Sequence, residues 1–154
     1  MPSTFTAMSD YTANQQITDT DINYVIHNDD FLRNPPEASY SPSTGAANIT
    51  TSSATMVDLT SFTVTLTSQG RMLYVLFAAR ANGTTARFDI LLDGISVTGD
   101  NDGVGAPGAT GEVSVIRLLT ASAGSHTVKI QWRSTSGTVT VYPAGLCQLY
   151  VREW

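Results

Sequence analysis

Few residues in this chain are of the types that carry nucleophilic or acid–base chemistry. Its two histidines are His27 and His126, and its single cysteine is Cys147. Ser125 directly precedes His126, but successive strand residues point to opposite faces, so these two side chains cannot form a Ser–His pair. The sequence contains no Gly-x-Ser-x-Gly nucleophile motif. We therefore predict a protein that is not an enzyme, with both histidines as polar residues at the surface or at a loop edge.

A glycine-rich segment at 99–111 contains the letters of a dinucleotide-binding motif. Residues 103–108 match G-x-G-x-x-G. In that motif the glycines follow a strand and open a helix, so that a phosphate meets the helix N-terminus. Here the stretch contains Pro107 and leads into another predicted strand. We therefore predict a loop and no nucleotide cofactor.

Acidic residues in and near the same loop could supply oxygen ligands to calcium. They are Asp93, Asp100 and Asp102. If Asp100 opened an EF-hand loop, Gly111 would stand at the twelfth position, where that loop needs a carboxylate, so the match fails. A different calcium site in this loop stays open, beside the simpler interpretation that Asp and Asn form turns. No cofactor and no metal are predicted.

The composition excludes several classes of partner. Of the 154 residues only 14% are charged, the net charge is −5, and Lys129 is the single lysine. A protein without a Lys/Arg cluster has no basic footprint for nucleic acid or for an anionic membrane, so neither partner is expected. No apolar run approaches the ~20 residues of a transmembrane helix. One cysteine excludes an internal disulfide, and residues 1–5 lack a secretory leader pattern, so synthesis in a cytosol is expected.

One predicted helix precedes the strands, over residues 18–34. Thr18 is its N-cap, and Pro35-Pro36 prevents its continuation. A helix of about four turns is not stable alone in water, so its apolar stripe must be covered by this domain, a neighbouring subunit or another protein. The stripe, at near-helical spacing, consists of Ile22, Val25, Ile26 and Leu32.

The rest of the chain is predicted to form strands. Threonine alternates with apolar residues over 62–67, which indicates a half-buried strand. The apolar run 72–79 predicts a central strand buried on both faces. Asn82-Gly83 and Asp93-Gly94 are hairpin-turn signals. With later strands at 113–119, 127–132, 139–142 and 146–151, the pattern predicts an all-β fold: an antiparallel β-sandwich of jelly-roll type with a short N-terminal arm and one helix.

Two stretches resemble proteins of tailed-bacteriophage virions. Residues 17–36, ITDTDINYVIHNDDFLRNPP, resemble a segment common near the start of such proteins, although His27 stands where an arginine is usual. The segments FDILLDG (88–94), AGSHTVKIQW (123–132) and LYVRE (149–153) resemble their jelly-roll heads and, more distantly, C1q/TNF-like trimeric jelly rolls. The positions that match the first segment are Thr18, Asn23, Asn28, Asp29, Leu32, Asn34 and Pro35.

The resemblance implies a non-enzymatic structural protein of the virion, made in the host bacterial cytoplasm. A trimeric capsid decoration (cement or head-fibre) protein is the first interpretation, with the major capsid protein or other virion proteins as partners. The alternatives are a small tail or tail-tip/fibre protein, and a jelly-roll module that binds a receptor or a host surface glycan. The expected organisation is a docking arm and helix at 1–36, a linker at 37–50 and a head domain at 51–154.

Two sets of residues are predicted to make the contacts of such an assembly. The N-terminal set could instead plug the open end of the jelly roll, and the C-terminal set could instead belong to the core of a monomer. Trp132 is predicted to face the core rather than to form a sugar-binding platform. The virion-docking set is Phe5, Met8, Tyr11, Ile22, Val25, Ile26 and Leu32. The trimer-interface set is Tyr142, Leu146, Leu149, Tyr150 and Trp154.

Overall fold

The computed structural model describes residues 34–43, 45–82, 85–99, 103–105, 110–144 and 147–154, together with Asn23, Val25, Asn28 and Leu32. These four isolated positions are all helical, as predicted for 18–34. Among the described residues no helix is long and apolar enough to cross a membrane. The strands of this part of the chain are β1 Glu37–Tyr40, β2 Ile49–Thr51, β3 Val57–Gln69, β4 Met72–Asn82, β5 Ala86–Leu92, β6 Ile95–Ser96, β7 Val104–Gly105, β8 Thr110–Thr120, β9 Ala123–Ser134, β10 Val139–Val141 and β11 Gln148–Glu153.

The strands form two antiparallel sheets packed face to face. Sheet A has the order β1-β11-β4-β10-β2, and β8 also pairs with β4. Sheet B has the order β3-β9-β5-β6, and β7 also pairs with β5. The predicted β-sandwich of jelly-roll type is confirmed. The physical reason is the period-two burial along β3 and β9, which presents apolar side chains to one side of each strand.

A row of aromatic rings crosses the space between the two sheets. Tyr40 meets Phe62 at 5.0 Å between ring centroids, and Phe62 meets Phe77 at 5.9 Å. Phe88 continues the row at 5.4 Å from Phe77, and Trp132 ends it at 6.0 Å from Phe88. Edge-to-face and offset contacts at these distances are the favourable arrangements of aromatic pairs. Trp132 is therefore a core residue, as predicted.

Two predictions about β4 are corrected by the sheet topology. The signal at Asn82-Gly83 does not produce a hairpin, because β4 belongs to sheet A and β5 to sheet B. The 72–79 run is fully buried on one face only, since Leu73 and Val75 are buried while Tyr74 is half-exposed. A turn signal marks a change of direction but not the sheet that the next strand joins. An apolar run likewise does not say whether both of its faces have a neighbour.

The segment predicted as a linker contributes strands to sheet A. β1 pairs with β11 from Glu37 opposite Arg152, and β2 pairs with β10. Strands of three or four residues carry too little alternation to be recognised locally. The Asp93-Gly94 signal does give a hairpin between β5 and β6, with positive φ angles of 52° and 84°. Glycine and aspartate are the residues that adopt such turn conformations most readily.

Candidate functional site

His126 is held by two acceptors at one end of the sandwich. Its Nδ1 lies 2.6 Å from Oδ2 of Asp93, and its Nε2 lies 2.8 Å from the carbonyl oxygen of Ser122. Both neighbours accept hydrogen bonds, so the arrangement suits the doubly protonated ring. Asp93 accordingly raises the pKa of His126, with a further contribution from the Ser122 carbonyl. Its neighbour Ser125 is exposed while His126 is buried, so the two side chains face opposite sides, as predicted.

The Asp93 carboxylate, in the turn between β5 and β6, also accepts a hydrogen bond from the backbone of β9. The backbone N–H of Thr127 donates to its Oδ1 at 2.8 Å. This bond, followed by the bond to His126, holds the pKa of the Asp93 carboxyl below its usual value. The group thus fastens the β5–β6 turn to the start of β9. His126 was predicted to lie at the surface or at a loop edge. In the structure it is buried, and both of its ring nitrogens are hydrogen-bonded.

Glu153 is fully buried and accepts several hydrogen bonds from the β3–β4 turn. The hydroxyl of Ser68 and the backbone N–H groups of Gln69 and Arg71 donate to its carboxylate, each at 2.9 Å. Its own backbone N–H donates to the Pro36 carbonyl at 2.9 Å. A buried carboxylate is tolerated only when such donors surround it. Glu153 therefore ties the last strand to the turn between the two sheets.

Two further carboxylates, those of Asp89 and Asp58, also bond within the fold. Asp89 accepts from the hydroxyls of Ser96 at 2.9 Å and Thr98 at 2.5 Å. Asp58 accepts from Lys129 and Gln131 at 2.9 Å each. No group of three or more metal-binding side chains occurs in the part of the chain that the structure describes. Of the calcium-site candidates, Asp100 and Asp102 lie outside the described residues.

The first glycines of the G-x-G-x-x-G letters have a packing role. Gly103 has φ +72°, and a Cβ there would lie 2.7 Å from the Phe88 carbonyl oxygen. Gly105 lies in β7, opposite Arg87 of β5. The described part of this stretch therefore joins sheet B instead of opening a helix. This placement agrees with the prediction of a loop rather than a phosphate-binding motif.

Cys147 is buried and donates from Sγ to the Tyr142 carbonyl at 3.2 Å. Burial raises the pKa of its thiol. A protonated, buried thiol is a poor nucleophile, so the residue behaves as a small core side chain.

The outer faces of the two sheets differ sharply in chemistry. The outer face of sheet B carries exposed Thr63, Thr65 and Thr67 on β3, with Lys129 and Gln131 beside them on β9. That is the polar pattern expected of a face in contact with water. The outer face of sheet A carries an apolar patch instead, where β8, β4 and β11 lie side by side. We call it the A face and define it by Met72, Tyr74, Leu76, Ile116, Leu118, Tyr150 and Trp154.

The strand register places the side chains of the A face in contact rows. Leu76 of β4 stands directly between Ile116 of β8 and Tyr150 of β11. In the next row Tyr74 stands between Leu118 and Arg152. Trp154 lies beyond these two rows, where its backbone N–H donates a hydrogen bond to the carbonyl oxygen of Met72. Its side chain is 76% exposed, and those of Leu118 and Ile116 are 59% and 51% exposed.

The predicted trimer-interface residues fall into different environments. Tyr150 and Trp154 lie on the A face. Leu149 points the other way and is fully buried in the core, so its predicted place at an interface is corrected. The cause is the strand alternation, which sends neighbouring residues to opposite faces. Tyr142 is half-buried beneath the Arg80 guanidinium, whose Cζ lies 5.8 Å from the ring centroid, and Leu146 lies outside the described residues.

Two of the predicted docking residues are described, and both are exposed. Val25 is 53% and Leu32 is 65% exposed. Leu32 also lines an open cavity of about 410 Å³ with Pro35, Arg152, Glu153 and Trp154. At these two positions the stripe is uncovered by the rest of the chain. The other predicted docking residues, Phe5, Met8, Tyr11, Ile22 and Ile26, lie outside the described residues.

The outward apolar side chains of β8 were not among the predicted site residues. Ile116 and Leu118 alternate out of phase with the inward residues Val113 and Val115. Within β8 the apolar residues thus change from odd to even positions, and this change was the feature of the sequence that indicated outward apolar side chains. A strand that is apolar in both phases has one apolar face left over when the other is buried.

Comparison of the sequence with protein-family models and with curated proteins gives no match. Among solved structures, an exo-beta-1,3-galactanase from Phanerochaete chrysosporium is 18% identical over 75% of this chain, with a TM-score of 0.37. This chain spans only 29% of that enzyme. A family 35 carbohydrate binding module from Clostridium thermocellum is 15% identical, covering 77% of this chain and 92% of its own, with a TM-score of 0.39. CBM35 from Paenibacillus barcinonensis is 18% identical over 68% of this chain and 98% of its own, with a TM-score of 0.29. The β-sandwich assigned above follows from the chain's own strands and register.

Proposed function

We propose that this chain is a non-enzymatic structural protein of a tailed-bacteriophage virion, first of all a trimeric capsid decoration protein that docks through its N-terminal region. The observation that carries the proposal is the exposure of the helix stripe at Val25 and Leu32. An apolar stripe on a short helix is stable only when something covers it. The phage-like segment at 17–36 contains this stripe, and its resemblance gives the class of partner.

The bonding of the ionisable groups supports a role without catalysis. His126, Asp93 and Glu153 each hold two segments of the fold together. A general acid or base must reach a substrate proton, and groups engaged in this way are poorly placed to do so. The exposed threonines of sheet B and the small share of charged residues suit a head that presents a polar surface with few charges.

Point variants in the full chain test the docking role. Val25→Asp with Leu32→Asp places charge in the exposed stripe, and it is expected to leave the melting temperature nearly unchanged while reducing attachment to purified particles about tenfold or more. Thr63→Asp with Thr67→Asp on the outer face of sheet B is the matched control, because it adds the same two charges at exposed positions, and it is expected to attach normally. Deletion of residues 1–36 is less informative, because it also removes the Pro36 carbonyl that accepts a hydrogen bond from the Glu153 N–H.

Mass spectrometry of purified virions of the encoding phage measures the same proposal directly. A decoration protein is expected in hundreds of copies per particle, and a tail-tip protein in few. Absence of the chain from the particles would overturn the virion role, and full attachment of the Asp double variant would overturn docking through the helix stripe.

Glycan binding is the second candidate, and the aromatic side chains of the A face favour it. Tyr74, Tyr150 and Trp154 lie on one side of sheet A, and flat aromatic surfaces suit the apolar faces of sugar rings. A glycan array probed with the full chain tests this candidate. Specific binding that Trp154→Ala abolishes, in a chain that virions lack, would replace the structural role by this one.

A further inference from the structure

We propose that the A face is the surface through which copies of this chain associate, so that its occupant is a second copy of the same chain. The inference rests on the assembly role proposed above. It names the partner of the A face, a surface separate from the helix that is proposed to dock.

The first support is the chemistry of the face compared with its counterpart. An antiparallel sheet with one packed face and one wet face alternates apolar and polar residues, as sheet B does. On sheet A a group of neighbouring outward positions, the A face, is apolar as well, and Ile116, Leu118 and Met72 are each at least 45% exposed. A contiguous apolar patch of several side chains on one surface marks a contact site.

The second support is area. β4 and β8 each span 11 residues, and the strands β1, β11, β4 and β8 lie side by side. β11 spans six residues and β1 four, so at strand dimensions the outer side of these four strands covers roughly 500 Å². A stable interface buries about 800 Å² on each partner. The outer side of sheet A therefore supplies more than half of the area that a second copy would need to bury.

The third support is charge. The chain carries a net charge of −5, which opposes contact between identical copies over most of the surface. On the outer side of sheet A the described charged residues are Arg80 and Arg152 against Glu37 and Glu112, so the face is neutral. Glu112 is the cross-strand partner of Arg80, and Glu37 is that of Arg152. Identical copies therefore meet across this face without net repulsion.

The edge of the sheet favours contact through the face rather than by strand addition. Within the described residues β8 pairs with β4 alone. Arg117 of β8 points inward, and its Nη2 donates to the Thr98 carbonyl at 3.0 Å. An inward-pointing charge on an edge strand is a feature that discourages edge-to-edge pairing. The exposed Ile116 and Leu118 are thus available to a partner that lies on the face.

Sedimentation velocity and light scattering of the full chain measure the association. The wild type is expected to be a closed oligomer whose melting temperature rises with protein concentration. Leu118→Glu and the double variant Ile116→Thr with Leu118→Thr are expected to weaken self-association about tenfold or more and to remove this concentration dependence. Their circular dichroism spectra should stay those of the folded sandwich, because both side chains point away from the core.

Thr63→Glu is the matched control, since it introduces the same charge on the outer face of sheet B. It is expected to leave the mass of the oligomer unchanged. A wild type that is monomeric at high concentration, or a Leu118→Glu chain that keeps the wild-type mass, would overturn the inference. Equal dissociation by Thr63→Glu would also overturn it, because the effect would then be one of net charge.

The outcomes separate this inference from the proposed function. A monomeric chain that still attaches to virions would remove the A-face inference and keep the docking role. A dimer dissociated by Leu118→Glu would keep the inference and remove the trimer from the proposed function. Oligomers that form normally from a chain that never occurs in virions would keep the inference and remove the virion role.

Discussion

The imidazole of His126 and the carboxylate of Asp93 meet at 2.6 Å and hold the β5–β6 turn against the start of β9. The carbonyl oxygen of Ser122 lies 2.8 Å from the second ring nitrogen, Nε2. With an acceptor at each nitrogen, loss of a proton from the ring removes one of the two hydrogen bonds. The contact therefore makes the stability of the sandwich depend on pH.

The melting temperature is expected to fall as the pH rises from about 6 to 9. Because the pKa of His126 is raised above its ordinary value of 6.5, its contribution is complete below pH 6.5 and is lost as the pH rises through the pKa of the folded state. Asp93 has a lowered pKa, so its contribution is present above 3.8 and is lost only at more acidic pH. Thermal melts across this range provide the measurement.

His126→Gln is expected to flatten this dependence. The variant removes the titrating ring, and at pH 6 it should lose about 1 kcal/mol, a shift of about 3 °C in melting temperature. At pH 9 it should melt close to the wild type. A wild type and a variant with parallel pH profiles would contradict the role of this pair. In Asp93→Asn the fall should begin at lower pH, because the carboxylate no longer supports the charged ring.

Replacement of Glu153 by Ala is expected to destabilise the chain by about 3 kcal/mol. The substitution leaves the Ser68 hydroxyl and the N–H groups of Gln69 and Arg71 without the carboxylate that receives them. Urea unfolding measures the loss. Glu112→Ala, an exposed residue of β8, is the control and should change stability by less than about 0.5 kcal/mol. Equal effects of the two substitutions would show that the buried carboxylate has no special role.

Gly103→Ala is expected to cost about 2 kcal/mol, whereas Gly105→Ala should cost less. At 103 the new Cβ would lie 2.7 Å from the Phe88 carbonyl oxygen, in a backbone with φ +72°. At 105 the nearest atom is Nη1 of Arg87, the end of a flexible side chain that can move. Denaturant midpoints of the two variants give the comparison. A similar or larger loss at Gly105 would show that the tight approach at 103 does not limit stability.

Phe77→Ala is expected to destabilise the sandwich by about 3–5 kcal/mol, because its ring is fully buried in the middle of the aromatic row. Phe77→Leu fills more of the space and should cost clearly less. The free energy of unfolding from urea titrations distinguishes the two. If both variants lost the same amount, the cavity left by the ring would not be the cause.

Local features of the sequence were enough to predict the class of fold. The alternation of threonine with apolar residues over 62–67 reflects the pleat of a strand, which repeats every two residues whatever the sheet around it. Asp93-Gly94 forms its turn because the two residues themselves favour the required backbone angles. Trp132 shares the phase of Val128 and Ile130, and this parity alone places it in the core.

The candidate surfaces depended on tertiary structure, because they are made by segments far apart in the chain. Ile116 joins Leu76 and Tyr150 only through the pairing of β8 and β11 with β4. Glu153 finds its donors some 82 to 85 residues away, and no local pattern predicts that a carboxylate near Trp154 is buried. The order of residues along each strand fixes which side chains are apolar and which of them share a face. Which of the two faces is covered follows from the packing of the sheets, because burial depends on the neighbour that packs against a strand rather than on the strand alone.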